Sequence, residues 1–108
     1  MEIVYVVLQT GAYEGESTSE AEVFHNKNDA LAQLQKDKDD LVDSIQGNDN
    51  HVKIFDFLST KDCEEHEGEY MQTSSFDKEG NLIEYSVWKQ GYFTEDYGVI
   101  ILLEREVK

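Results

Sequence analysis

The stretch Asn26 to Gly47, NKNDALAQLQKDKDDLVDSIQG, decides how the rest of the chain is to be read. At about 100° per residue, Ala30, Leu31, Leu34, Leu41, Val42 and Ile45 fall within an arc of about 120°, the pattern of a helix with one apolar face. Lys38 lies inside that arc, where its stem can pack while the ammonium reaches water. The opposite face carries Lys36, Asp39, Asp40 and Asp43. Asn26 or Asn28 offers an N-cap, and Asp29 in the first turn suits the positive end of the helix dipole. Gly47, followed by Asn48-Asp49-Asn50, is a stop. The spacing predicts a helix over Asp29 to Gln46.

Everything on either side of this helix reads as strand. Upstream, Ile3 to Leu8 is an unbroken β-branched and aromatic run, the pattern of a strand buried on both faces and central in its sheet. Gln9 to Ser19, with Gly11, Gly15 and Ser17-Thr18-Ser19, reads as a loop, and Glu20 to Phe24 alternates as a second strand. Downstream, Val52 to Leu58 suits a third strand. Tyr70 to Phe76 and Leu82 to Gln90 flank Asp77-Lys78-Glu79-Gly80-Asn81, a short glycine-containing connection that signals a β-hairpin. Tyr97 to Val107 is the last strand, with Val99 to Leu103 as its apolar centre. The order is β-β-α-β-β-β-β. The expectation is an α+β fold: a mainly antiparallel sheet of five to six strands with one long helix packed on one face.

The chain has 108 residues, which suits a single domain over 1–108. It is 39% apolar, with six Tyr, five Phe and one Trp, too rich for a disordered chain despite its charge. The start, Met1-Glu2-Ile3-Val4-Tyr5, has no basic region of the signal-peptide kind. Cys63 stands alone, so no intrachain disulfide can form. No run approaches the roughly 20 apolar residues of a membrane helix. Together these features lead to the expectation of a cytoplasmic protein.

The layout of a first apolar strand, a polar loop, a short strand ending in Val23-Phe24, then Asn28-Asp29-Ala30-Leu31-Ala32 opening a helix resembles that of many short accessory proteins of phages and plasmids. It covers about the first 45 residues. The resemblance is one of layout and carries over no functional residue.

Motifs with chemistry are sparse. Cys63 and His66 have a spacing that can share one metal, but a structural zinc site needs four ligands and no second close pair exists. Asp62, Glu64, Glu65 and Glu67 surround Cys63, and their field opposes thiolate formation. Asp56 lies between Phe55 and Phe57, the most apolar setting of any acid in the chain, yet on an alternating strand it would share a face with Ile54 and Leu58. There is no phosphate loop, dinucleotide fingerprint, nucleophile elbow or His-Glu-x-x-His. No catalytic residue, metal site or cofactor is therefore expected.

Charge is the most unusual property. Twenty-four acids oppose nine bases, for a net −15. Such a surface is repelled by nucleic acid and by anionic membranes, and suits a basic protein surface. Glu14, Glu16, Glu20 and Glu22 form one base-free stretch, and Glu64, Glu65, Glu67 and Glu69 belong to another. Trp88 and Tyr92 are residue types that anchor protein interfaces. The expected function is an acidic protein–protein interaction module, in one form a nucleic-acid-mimicking inhibitor from a phage or mobile element. The alternatives are a small ligand-binding domain or enzyme, and a homo-oligomer that uses an apolar sheet face.

Overall fold

Two long amphipathic patterns, one of period 3.6 and one of period 2, can bury their apolar sides only against each other. The computed structural model describes residues 2–13, 16–47, 53–57, 68–89 and 97–107, and shows that solution. Strands β1 (Glu2–Tyr13) and β2 (Glu16–Phe24) precede helix α1 (Lys27–Gln46). Strands β3 (Ile54–Asp56), β4 (Tyr70–Phe76), β5 (Leu82–Lys89) and β6 (Tyr97–Val107) follow. They form one six-stranded sheet in the order β2-β1-β6-β5-β4-β3, antiparallel except where β3 pairs with β4. The α+β expectation and the element order hold.

The helix is fixed at both ends by local chemistry. The Asn28 backbone N–H donates to the Asn26 side-chain oxygen at 2.8 Å, so Asn26 is the cap. Gly47 adopts a left-handed φ of 53°, and its N–H closes on the Asp43 carbonyl at 2.7 Å. Ala30 and Leu34 are fully buried against Val7, Leu82, Tyr85, Val87 and Ile100. Leu41, Val42 and Ile45 pack around that core, so the predicted apolar arc is the buried one. Close approach of helix and sheet depends on Gly98, where an added Cβ would lie 2.7 Å from Leu41 Cδ2.

The β4–β5 hairpin turns as its sequence predicts. Asp77 Oδ1 accepts from the Glu79 and Asn81 N–H groups, both at 2.9 Å, and Gly80 takes a left-handed φ of 87°. Ser75 pairs with Glu84 but Phe76 with Leu82, a bulge that leaves Ile83 as the extra residue. This extra residue turns Leu82 back toward the helix, where it joins the core.

Three sequence expectations are corrected. Most of Gln9 to Ser19 is strand, not loop: pairing runs from Gln9–Glu20 to Tyr13–Glu16. The third strand, whose length and regularity the sequence left open, spans three residues rather than Val52 to Leu58, and the Phe57 N–H extends its pairing by donating to Gln72 O at 2.8 Å. Finally, β1 is interior to the sheet but the helix covers only one of its faces. Val7 reaches the helix; on the other side Val4 is buried, and Val6 and Leu8 are half-buried.

Candidate functional site

The register sorts every described strand residue onto one of two faces. Glu20 and Glu22 on β2 lie opposite Gln9 and Val7, and thus on the helix side. Glu104 and Glu106 on β6 lie opposite Tyr5 and Ile3, on the same side. All four are exposed. Glu20 and Glu22 stand about 6.8 Å apart, as alternate residues of one strand do. The helix adds Asp29, Asp39, Asp40 and Asp43, also exposed.

Three of the lysines on this side lie against acids or aromatic rings, while Lys36 on α1 is exposed. Lys27 Nζ is 3.6 Å from Asp77 and 4.0 Å from Glu104. Lys38 places its ammonium 5.0 Å from the centre of the Tyr85 ring, the packing of an apolar stem beneath a charged head that its place in the helix arc predicts. Lys89 lies 5.9 Å from the Tyr70 ring centre. Among the described residues, Glu20, Glu22, Asp40, Asp43 and Glu106 have no ion-pair partner.

Beside the helix, three side chains form a chain of hydrogen bonds. Tyr85 OH donates to Gln72 Oε1 at 2.7 Å, and Gln72 Nε2 donates to Asp56 Oδ1 at 2.8 Å. Burial, with Asp56 adding to it, pushes the Tyr85 hydroxyl up to about 12. The cluster ties the β3 edge to β4 and β5. Asp56 is an exposed edge residue on the helix side of the sheet.

The opposite, helix-free face is different in kind. Val4, Val6, Leu8, Val23, Ile101 and Leu103 share it by register. Val23 is 61% exposed. Farther along the same face, Phe57 meets Trp88 edge-to-face at 5.7 Å. The charged residues placed there by register are Glu2, Glu84 and Arg105.

Of the acids singled out by sequence, Glu20 and Glu22 come together on the helix side. Glu69 is exposed just before β4, and Trp88 is half-buried against Phe57. Glu16 opens β2, but its side chain is outside the description. Glu14, Glu64, Glu65, Glu67 and Tyr92 lie outside the described residues, as do Cys63 and His66. Among the described residues no cluster of His, Cys, Asp and Glu could hold a metal ion. No described helix is long and apolar enough to cross a membrane. Sequence reasoning missed Glu104 and Glu106. The alternation Glu104-Arg105-Glu106 after the apolar run was the available signal.

Searches against protein-family models, curated proteins and solved structures return no match.

Proposed function

We propose that this chain is an acidic protein–protein interaction module whose helix-bearing side engages a basic protein surface. The observation that carries the reading is the segregation of charge among the described residues. Exposed acids from β2, β6 and α1 share one side, while the described lysines there are mostly engaged with neighbouring acids and aromatic rings. Net charge alone would serve solubility equally well if it were spread evenly. Collected on one side, it focuses a field that speeds encounter with a basic partner.

The narrower form, occupation of a duplex-binding site, faces a density requirement. The molecule is 48 Å long, a length over which duplex DNA carries about 28 charges at one per about 1.7 Å. The net −15 is roughly half of that. The proposal therefore commits to a basic protein patch and leaves a duplex-shaped one as an outcome of the test.

That test is capture of partners from lysate by the purified chain, compared with a variant carrying Glu20, Glu22, Glu104 and Glu106 all as Gln. A basic partner held at low salt, released at high salt and lost by the variant supports the reading. Displacement by duplex DNA would identify a nucleic-acid site on that partner. A partner held equally by both proteins, or no salt-sensitive partner at all, would overturn it and leave solubility as the role of the charge.

A further inference from the structure

The helix-free face of the sheet sets a problem that the acidic side does not solve. The helix covers one face of the sheet; on the other, Met71 and Val4 are buried, whereas Val6, Leu8, Ile101 and Leu103 on the central strands are half-buried and Val23 is exposed. An antiparallel sheet can leave one face to water, but that face is then normally polar. On β6 both faces are apolar in the middle, Ile100 and Leu102 toward the helix and Val99, Ile101 and Leu103 away from it, before the charged run Glu104-Arg105-Glu106.

We infer that this face is the contact surface for a second copy of the chain. Two observations select that occupant. The first is the placement of charge. The acids of the helix side point away from this face, so two copies packed through it keep their acidic sides outermost and as far apart as possible. The second is complementarity within the face itself. Arg105 and Glu84 are its charged residues nearest the apolar centre, and they straddle Leu103. Arg105 lies two residues beyond Leu103 on β6, and Glu84 lies opposite Ile101, two residues before it. A twofold axis in the plane of the contact, crossing the strands at Leu103, carries each Arg105 over the Ile101 of the other copy, next to its Glu84. The pairing occurs twice, as an isologous interface requires. The guanidinium now spends one donor on the Glu104 carbonyl at 2.8 Å, which leaves others for a carboxylate.

Size sets its strength. From β2 to β6 the face spans three strands, about 14 Å, over Tyr5 to Thr10, about 17 Å, and β1 and β6 alone carry it on to Glu2, about 10 Å farther. The footprint is about 350 Å² per copy, near 700 Å² in total, below the usual range for a stable specific interface. Sheets meet face to face about 10 Å apart, which interdigitating Val6, Leu103 and Val23 side chains fill. The dimer is accordingly weak, in the micromolar range. Repulsion between two copies of net charge −15 opposes it, so added salt tightens it.

The experiment is sedimentation equilibrium of the full chain from about 10 to 200 µM, at about 0.05 and 0.5 M salt. The expected result is a mass rising with concentration from 12.5 kDa toward twice that value, more readily at high salt. Val23→Lys, at a position already 61% exposed, should weaken association about tenfold while leaving the melting temperature within a few degrees. Arg105→Glu should weaken it at low salt, and Arg105→Glu combined with Glu84→Arg should restore it to within about threefold. A mass fixed at 12.5 kDa under both salts would overturn the inference. So would a dimer indifferent to Val23→Lys and to the charge exchange, which would place the contact elsewhere. These substitutions lie across the sheet from the acids tested above, so either proposal can fail alone.

Discussion

The Tyr85 hydroxyl and the Gln72 side-chain oxygen, 2.7 Å apart, tie the middle of β5 to β4 beneath the helix. Removing the hydroxyl in Tyr85→Phe leaves the ring in the core but strands a part-buried acceptor, at an expected cost of about 1 kcal/mol. The alkaline limb is more diagnostic. The folded hydroxyl titrates at about 12, against about 10 in an unfolded chain. Between those values the unfolded state has released a proton that the folded state keeps, so stability falls as pH rises. The loss should approach about 2 kcal/mol by pH 12 and be absent from Tyr85→Phe. Urea melts across the alkaline range check both statements.

Asp77 organises the β4–β5 turn as a carboxylate. Its acidity is strengthened chiefly by the Asn81 backbone N–H, with further help from the Asn81 side chain, the Glu79 N–H and Lys27. A carboxyl whose folded pKa lies below its ordinary value of 3.8 contributes stability at neutral pH, and that contribution is lost as pH falls through the lowered value. Asp77→Asn should lower the melting temperature at pH 7 and flatten the acid limb of the stability profile. Amide exchange should speed up first in the hairpin amides. Equal pH profiles for variant and parent would refute this role.

Gly98 and Leu41 define how near the helix can sit to the sheet. An alanine at position 98 must push the Leu41 side chain aside, for an expected loss of about 1 kcal/mol. In a Leu41→Ala background the same substitution should be close to neutral. A double-mutant cycle measured by denaturant melts should therefore return a coupling of about 1 kcal/mol. Additive losses would mean that Gly98 matters for some reason other than this contact.

The two asparagines at the start of α1 are distinguishable by experiment. Asn26→Ala should cost about 1 kcal/mol, because the Asn28 N–H loses its acceptor. Asn28→Ala, one position inside the helix and exposed, should change stability by a few tenths at most. Thermal melts of the pair settle which residue caps.

The parts of the fold that were legible in the sequence are those whose pattern is long and local. The helix arc from Ala30 to Ile45, the apolar centre of β6 and the Asp77 to Asn81 turn each carry their evidence within about twenty residues. The β1–β2 hairpin was read too short, since Gly11, Gly15 and the serine–threonine run mimic loop composition while the backbone continues to pair. Strand order was not legible, because the pairing of Glu2 with Val107 leaves no local trace. The same holds for the candidate surfaces. That Glu20 and Glu22 share a face follows from alternation along one strand. The grouping of those acids with Glu104 and Glu106, and the relation of Glu84 to Arg105, depend on which strands are neighbours.

The strand order also bears on how the molecule is made. Strand β6 lies between β1 and β5, yet it is the last of the six strands to leave the ribosome. Until it arrives, the chain consists of two unfinished pieces, β1-β2 with the helix and β3-β4-β5, each with an unpaired inner edge. Such edges invite pairing with other chains. The pairings that close the gap join residues far apart in sequence, which makes their formation slow. The net charge of −15 then acts before the sheet is complete. Two nascent copies repel each other during the interval in which each has a slot the other could fill, and the strand that finally occupies it is the chain's own.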